Sequence, residues 1–342
     1  MDKLNFGVIG VGEMGHRHAE NLAANVPGAR LVAVADVNAA RASDIAAELG
    51  VGASYDSVEE LVARPDIQAV VISSPPKFHA PAIHAAAAAG KHIFCEKPLA
   101  LTLEDADAAL DAVARAGVKL QVGHMRRYDP PYVAAKKRID AGEIGEVVIF
   151  KSIGRDQETP ASAAPATAIN GTIFHDSSSH DFDLGRWLTS DEVVEVHAYS
   201  GSLAIPDMKR FGAFDCGVVN LQFSRGAIGN VESYLDAKYG YDIRTEIVGT
   251  KGTIQVGSLR RTSMTILTSS GSSRDIVGHW LDRFGQAYHL EMIDFVHTVL
   301  TGGTVKVTGL DGRQSLAIAD AALRSQAERR PVAVQAARRV TA

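Results

Sequence analysis

A glycine-rich turn near the N-terminus constrains the fold more than any other stretch of this chain. Gly10, Gly12 and Gly15 have the spacing G-x-G-x-x-G and follow directly after an apolar run that begins at Leu4. The spacing is typical of dinucleotide binding when a strand precedes it, a helix follows it and an acidic residue comes about twenty positions later. The first glycine allows a tight turn, the second lets the backbone approach a pyrophosphate, and the third lets the helix pack closely on the strand. Similar turns also occur without a ligand, so the flanking segments decide the interpretation.

Those flanking segments meet each requirement. Asn5–Ile9 is predicted to be a buried strand, and Met14–Ala24 a helix whose first amide groups and partial positive charge face the phosphates. A second apolar run, Ala29–Ala35, ends at Asp36. A carboxylate there accepts hydrogen bonds from the ribose hydroxyls and repels a 2′-phosphate, so Asp36 favours NAD over NADP. Arg41 lies close enough to leave the use of both cofactors open.

Length, composition and charge restrict the class of protein. The chain has 342 residues, of which 46% are hydrophobic and 22% charged, which predicts two globular domains. A net charge of −5 argues against a nucleic-acid partner. No apolar run is long enough to span a bilayer and the first strand leaves no room for a signal peptide, so we expect a cytoplasmic protein. Cys95 and Cys216 lack metal-ligand spacing and are interpreted as packing residues.

The organisation of the chain changes after residue 124. Up to there, continuously apolar strands alternate with helices, which is typical of a parallel sheet covered on both faces. From Glu146 onward the strands alternate in polarity, which predicts a large, mainly antiparallel open sheet. We expect an α/β protein with a doubly wound, Rossmann-type NAD-binding domain over 1–124 and an α+β domain for substrate binding and oligomerisation over 125–342. Other expected elements are a loop over 158–172, either a linker or a substrate-facing segment, and helices over Gln286–Thr301 and Arg313–Arg329.

A lysine follows one of the apolar strands at a position suited to chemistry. Glu96, Lys97 and Pro98 come directly after the predicted strand His92–Cys95. Ligands of open α/β sheets bind outside the carboxyl ends of the strands, where this tripeptide falls. The proline removes a backbone donor and restricts Lys97 to an extended conformation. We therefore expect Lys97 to meet a substrate rather than to be an ordinary surface charge.

Three motifs together carry a resemblance to a known family. The glycine fingerprint, the tripeptide at 96–98 and the pair Asp176-x-x-x-His180 resemble the glucose–fructose oxidoreductase and inositol dehydrogenase family. The segments VGHMRRYDPPY (122–132) and GTIFHDSSSHDFDLGRWL (171–188) are similar to those of its bacterial inositol dehydrogenases. The likeness spans nearly the whole chain. It implies that Lys97, Asp176 and His180 form a catalytic set around a hydroxyl-bearing carbon, without a metal.

The residue types of this set suit the oxidation of an alcohol. On a helix, Asp176 and His180 lie one turn apart and share a face. Histidine suits the base that takes the hydroxyl proton as hydride leaves carbon, because an unperturbed imidazole titrates near neutrality. Asp176 then orients the polyol or tunes the imidazole, and Lys97 donates to the reacting oxygen. The histidines and aspartates around them lack the His-Glu-x-x-His spacing of zinc peptidases, so no metal site is expected.

Further residues are expected to contact the cofactor and the substrate. The expected NAD-binding residues are Gly10, Gly12, Glu13, Met14, Gly15, Asp36, Val37, Ser73, Ser74, Pro75, His79, Glu96 and Lys97. The expected substrate-binding residues are Arg126, Tyr128, Arg155, Asp156, Asp176, His180 and Tyr234. The run Ser177–Ser179 departs from the bulkier apolar residues expected in this family. Three serines weaken a helix and add hydroxyls near the substrate, which leaves the identity of the substrate open.

The leading hypothesis is an NAD-dependent dehydrogenase that converts myo- or scyllo-inositol to a keto-inositol. A dehydrogenase of a pyranose sugar of similar shape is a close alternative. An NAD-dependent glycoside hydrolase of the same fold and a non-catalytic NAD-binding regulator are alternatives from other classes. An open antiparallel sheet leaves one face to be covered, and the family resemblance implies a dimer or tetramer built through that sheet.

Overall fold

The computed structural model describes residues 3–157, 171–257 and 260–337, so most of the loop expected over 158–172 lies outside the described residues. The chain forms two compact units: Met1–Met125 with Ala287–Leu316, and Arg126–Gln286 with Ala317–Ala342. The stretch Ala287–Leu316 therefore returns to the first unit after the second has begun. In the described part of the chain, no helix combines the length and the apolar character needed to cross a membrane.

The first unit is built on a parallel sheet with the strand order β3-β2-β1-β4-β5-β6. Its strands are β1 (Leu4–Ile9), β2 (Ala29–Ala35), β3 (Ser54–Tyr55), β4 (Ala69–Ile72), β5 (His92–Glu96) and β6 (Leu120–Gly123). This order is that of a dinucleotide-binding, doubly wound sheet, whose direction of winding reverses between β1 and β4. The predicted Rossmann-type sheet is confirmed.

In the first unit, the helices follow the sequence pattern closely. The α-helices of the described residues in both units are α1 (Glu13–Glu20), α2 (Ala39–Glu48), α3 (Val58–Val62), α4 (His79–Ala88), α5 (Leu103–Ala116), α6 (Pro130–Asp140), α7 (Ser178–Thr189), α8 (Trp280–Thr301) and α9 (Gly309–Glu328). Helix α5 is capped at both ends: the Thr102 hydroxyl accepts from the amide of Asp105, and Gly117 ends the helix with φ of 64°. After α1 the chain continues into a π-helical turn, Asn21–Asn25.

Helix α8 begins earlier than the sequence pattern indicates. It starts at Trp280, six residues before the predicted start at Gln286. Gly285 lies within it, and glycine is a poor helix former, which favours placing the boundary after this residue. The fully buried ring of Phe284, next to the glycine, packs edge-on against Tyr241 and offsets that preference.

The glycine turn is held by two close backbone approaches. Gly10 has φ of 82°, and a Cβ atom built on it lies 2.6 Å from the backbone of Ser74. A Cβ atom on Gly15 lies only 1.8 Å from the carbonyl oxygen of Gly10, so α1 packs on the turn with no space for a side chain. A Cβ atom on Gly12 meets no protein atom within 4 Å. The first and third glycines therefore serve the fold, and the second leaves open space.

The second unit contains a seven-stranded sheet with the order β12-β11-β7-β10-β9-β8-β15. Its strands are β7 (Val147–Gln157), β8 (Val193–Gly201), β9 (Cys216–Phe223), β10 (Ile228–Ala237), β11 (Asp242–Gly249), β12 (Thr253–Val256) and β15 (Val332–Ala333). The pairing of β7 with β10 is parallel and the other pairings are antiparallel, which confirms a mainly antiparallel sheet. Outside this sheet, β13 (Thr265–Thr268) and β14 (Gly271–Arg274) form a separate hairpin.

Helix α7 covers one face of this second sheet. A Cβ atom on Gly185 lies 3.0 Å from the ring of Phe150 in β7, and the Ser178 hydroxyl is 2.8 Å from that of Ser233 in β10. Side chains that point to the other face, such as Tyr199 and Ile228, are more than half exposed. The alternation of buried and exposed positions therefore has a structural cause, because a single face of the sheet carries the helix.

Replacing Gly15 with alanine tests the close approach of α1 to the turn. We expect Gly15→Ala to lower the free energy of unfolding by at least about 2 kcal/mol, because the new methyl group collides with a backbone oxygen that cannot move without breaking the turn. Urea unfolding measures the change. Gly12→Ala is the matched control and should change the stability by less than about 1 kcal/mol. Equal stabilities of the two variants would contradict the packing role of Gly15.

Candidate active site

Asp36 lies beside the glycine turn at the carboxyl end of β2. Its Oδ2 atom accepts from the amide of Val11 at 2.9 Å, and its Oδ1 atom accepts from the amide of Asn38 at 2.9 Å. The side chain of Arg41 donates to the carbonyl of Val11 at 3.2 Å. The neighbouring Val37 is 87% exposed. The carboxylate expected to meet the cofactor ribose is thus fixed by two backbone donors at the edge where β1 and β2 end.

The segment after β4 packs against the same turn. The amide of Ser73 donates to the carbonyl of Ile9 at 2.8 Å, which continues the pairing of β4 with β1 past the end of the strand. His79 is buried, and its two ring nitrogens lie 2.7 Å from the carbonyls of Ser74 and Pro98. Burial lowers the pKa of His79, while both carbonyls act in the opposite direction. This imidazole therefore joins the segment after β4 to the segment after β5.

Glu96 connects the lysine segment to the helix that follows the glycine turn. Its Oε1 atom lies 2.7 Å from Nε2 of His18 in α1, and its Oε2 atom accepts from the amide of Lys97 at 3.3 Å. The side chain is buried, and a Cβ atom on Gly123 of β6 lies 3.0 Å from its carboxyl group. Although burial opposes it, the hydrogen bond with His18 lowers the pKa of Glu96. The residue expected to approach the cofactor thus also positions the backbone of Lys97.

A third titratable side chain completes a buried cluster with this pair. Glu291 of α8 is fully buried. One nitrogen of His18 and one carboxyl oxygen each of Glu96 and Glu291 lie within 4.8 Å of one another. Neither carboxyl oxygen of Glu291 has a hydrogen-bond partner among the described residues. Burial, and after it the nearby charge of Glu96, raises the pKa of Glu291 well above its ordinary value. The cluster therefore combines an imidazole with two carboxyl groups whose pKa values are shifted in opposite directions.

The same three side chains resemble a set of metal ligands in composition, but two of them are hydrogen-bonded to each other: Nε2 of His18 lies 2.7 Å from Oε1 of Glu96. The other group of this kind among the described residues, His16, Glu20 and Glu48, is at least partly exposed. Neither group includes the histidines and aspartates between residues 175 and 183.

In the second unit, Asp176 and His180 lie at the start of α7. Contrary to the expectation of a shared helix, α7 begins at Ser178, and Asp176 belongs to the turn before it. The amide of Asp176 donates to the carbonyl of Thr172 at 3.0 Å, and the Ser179 hydroxyl donates to the carbonyl of Asp176 at 2.9 Å. Serine hydroxyls compete for backbone groups in this way, which explains why the helix starts late. His180, in the first turn, is 8% exposed.

Two ion pairs connect α7 to the turn Met125–Tyr128, and a hydrogen bond connects it to the sheet. Asp181 accepts from the guanidinium of Arg126 and from the hydroxyl of Ser152 in β7, both at 2.5 Å. Arg127 donates twice to Asp183, at 2.8 and 2.6 Å. Arg126 is 3% exposed, so the structure uses this expected substrate ligand to hold the helix. Such buried pairs are costly to break, because removing one partner leaves an uncompensated charge.

The strand register separates the other expected substrate residues into two groups. Ser152, Gly154 and Asp156 alternate along β7 on the face that α7 covers, and the Ser177 hydroxyl donates to Asp156 at 2.6 Å. Arg155 points to the other face, where it binds Glu232 at 2.8 Å and the Tyr239 hydroxyl at 3.0 Å. Tyr234 is the register partner of Arg155 and also lies opposite the α7 face. Tyr128 is 7% exposed in the turn Met125–Tyr128. Asp156 therefore lies on the face that α7 covers and contacts Ser177, which follows Asp176, whereas Arg155 and Tyr234 lie on the other face.

Comparison with known proteins identifies both units. Residues 4–124 match the oxidoreductase family model described as an NAD-binding Rossmann fold, and residues 136–334 match the model described as the C-terminal alpha/beta domain of that family. The chain is 42% identical over 336 residues to scyllo-inositol 2-dehydrogenase (NAD(+)) of Bacillus subtilis, covering 98% of this chain and 97% of the relative. It is 38% identical over 334 residues to inositol 2-dehydrogenase of Rhizobium meliloti, covering 97% and 99%.

A solved structure agrees with the fold over nearly the full length. The crystal structure of scyllo-inositol dehydrogenase from Lactobacillus casei, with bound NAD(H) and scyllo-inositol, matches with a TM-score of 0.92 at 31% identity, covering 97% of this chain and 99% of that one. The match extends over both units, so the two domain types and their order in the chain are shared.

The substitution Glu291→Gln tests whether the buried carboxyl group of Glu291 is neutral in the folded protein. Because the pKa of Glu291 is raised in the folded protein, the native state keeps a proton that the unfolded chain releases above a pH of about 4.3. The stability of the parent protein therefore falls as the pH rises from that value toward the raised native pKa. Glu291→Gln removes this loss, so its stability relative to the parent should increase between pH 5 and pH 8, by up to about 1.4 kcal/mol per pH unit.

Chemical denaturation across this pH range makes the measurement, and Glu104→Gln at an exposed site controls for the substitution itself. A stability difference between Glu291→Gln and the parent that is constant with pH, or that becomes less favourable as the pH rises, would show that Glu291 is ionised in the folded protein.

Proposed function

The chain belongs to the Gfo/Idh/MocA oxidoreductase family, and we propose that it is an NAD-dependent dehydrogenase of a cyclitol, oxidising scyllo- or myo-inositol to the keto-inositol. The observation that carries the proposal is the 42% identity over 98% of the chain to a scyllo-inositol 2-dehydrogenase, combined with the placement of Lys97 at the carboxyl end of β5. The first unit is assigned to NAD binding, and the second to substrate binding and oligomerisation. The cytoplasmic location remains a prediction from the sequence.

The residues of the first unit fit the cofactor. The open space at Gly12 suits a pyrophosphate that approaches the backbone, and α1 starts next to it at Glu13 and Met14. We assign Asp36, held by the amide of Val11, to the ribose hydroxyls, and the segment from Ser73 to His79 to the nicotinamide half, as the family resemblance implies. When bound, NAD supplies the hydride acceptor for the reaction.

In the proposed reaction the chain's own residues move the proton and stabilise the charge. The carbon–hydrogen bond of the oxidised carbinol breaks with loss of hydride, and the oxygen–hydrogen bond loses its proton to His180, so that a ketone forms. Lys97 donates a hydrogen bond to the reacting oxygen as negative charge develops on it. Asp176 orients the hydroxyl groups of the ring. Asp156, on the face of the second sheet that α7 covers, accepts a hydrogen bond from another hydroxyl of the ring.

A substrate panel tests the function. We expect the protein with NAD to form NADH from scyllo- or myo-inositol, and to use NADP less efficiently because Asp36 repels the 2′-phosphate. NADH absorbance gives kcat and KM for each cyclitol, for pyranose sugars and for both cofactors. Cleavage of an aryl glycoside without NADH formation from any cyclitol or sugar would instead identify a glycoside hydrolase.

Lysine variants serve as controls for the panel. Lys97→Ala should lower kcat by about 10²-fold or more, because the variant loses the donor to the reacting oxygen. Lys137→Ala, at an exposed position of α6, should turn over like the parent. An unchanged kcat in Lys97→Ala would remove the catalytic role assigned to this lysine.

We also propose that the protein is a dimer or tetramer that buries the uncovered face of the second sheet. Tyr199 is 63% exposed and Ile228 is 55% exposed on that face, next to the partly exposed Val218. Ile228→Arg should shift the protein toward a monomer in gel filtration with light scattering, because the new charge is desolvated in the interface. Leu267→Arg in the separate hairpin is the control. A parent protein that is monomeric at all concentrations tested contradicts the proposal.

A further inference from the structure

A hydrogen bond from Ser177 to Asp156 is the feature of the second unit that the family resemblance does not account for. The Ser177 hydroxyl donates to Oδ2 of Asp156 at 2.6 Å across a separation of 21 residues. It connects the end of β7 to the turn that carries Asp176. Hydrogen bonds to a carboxylate are among the stronger ones in proteins, so this contact fixes one oxygen of Asp156.

The three serines of the run have different partners. The Ser178 hydroxyl contacts Ser233 in β10, and the Ser179 hydroxyl donates to the backbone carbonyl of Asp176. These two contacts hold the start of α7. Among the three, Ser177 is the one whose hydroxyl reaches a charged side chain. Its role is therefore tied to Asp156 rather than to the helix.

The surroundings place Asp156 at the substrate end of the second unit. Asp156 lies on the face of β7 that α7 covers, and Ser177 immediately follows Asp176 in the chain. Asp156 also acts on the buried Tyr241: burial raises the pKa of this phenol most, and the negative charge of Asp156 is the second cause that raises it. Asp156 thus lies near the end of β7, accepts a hydrogen bond from the turn before α7, and carries a charge that acts on a buried phenol.

We propose that Ser177 is a positioning residue that fixes the Asp156 carboxylate as an acceptor for one hydroxyl of the ring substrate. The assignment rests on the proposed function. A serine hydroxyl has a single proton, which here is donated to Asp156, so Ser177 and Asp156 together present acceptors only. Such a pair selects a substrate that donates at this position and disfavours an analogue in which the hydroxyl is replaced by hydrogen or fluorine, because that analogue cannot donate a hydrogen bond to the carboxylate.

Ser177→Thr and Ser177→Val form a matched test, since the two new side chains have the same shape and differ only in the hydroxyl group. Ser177→Val should raise KM for the inositol that the parent oxidises best by about tenfold, change kcat by less than about threefold and leave the Kd for NAD unchanged. Ser177→Thr should keep KM within about threefold of the parent. The preference for inositol over deoxy-inositol should fall in the valine variant and persist in the threonine variant.

A double-mutant cycle shows whether Ser177 acts through Asp156. In an Asp156→Asn background, the change from serine to valine at 177 should raise KM by less than about threefold, because the carboxylate that the hydroxyl positions is gone. Ser224→Ala is a control for the loss of a serine–aspartate hydrogen bond, since Ser224 donates to Asp191 at 2.5 Å at an exposed site. Its kinetics should equal those of the parent.

Four results overturn the assignment. An unchanged KM in Ser177→Val, or equal effects of valine and threonine, shows that the hydroxyl does not position Asp156. Full additivity in the cycle shows that Ser177 acts independently of Asp156. A parent that oxidises no ring polyol refutes the proposed function and this assignment with it, whereas an active parent with an unaffected valine variant refutes this assignment alone.

Discussion

The geometry of the first unit depends on the carboxylate of Glu96. This side chain is 7% exposed at the end of β5, where it contacts His18 of α1 and the backbone amide of Lys97. A buried charge is tolerated when hydrogen bonds compensate for lost hydration, and two such bonds do so here. The same contacts connect the helix that follows the glycine turn to the lysine proposed for catalysis. Glu96 therefore stabilises both the helix after the glycine turn and the backbone of Lys97.

In the second unit, a helix fixed on a sheet positions the side chains proposed to meet the substrate. Asp181 pairs with Arg126 and Ser152 beneath α7, so the helix has little freedom to move along the strands. The turn before α7 carries Asp176 and, through Ser177, reaches Asp156 at the end of β7. Rigid elements thus hold the side chains proposed to meet the substrate, which is the arrangement that favours accurate orientation.

Local sequence patterns predicted the fold well because its signals are local. The glycine spacing and the apolar strands lie within short windows, and the structure confirms both. The buried cluster was missed because its members come together only through the fold: His18 and Glu96 are 78 residues apart, and a glutamate within α8 gives no local sign of burial. Likewise, Arg155 and Asp156 are neighbours in sequence, and only the register of β7 decides which of them faces α7.

In the proposed reaction, hydride passes directly from a ring carbon of a cyclitol to NAD. Inositol deuterated at its ring carbons tests this transfer when the NADH product is analysed by mass spectrometry. Direct transfer predicts one deuterium in each NADH formed, and a slower turnover than with unlabelled inositol when hydride transfer limits the rate. NADH formed without deuterium, or no NADH from any cyclitol, would contradict it.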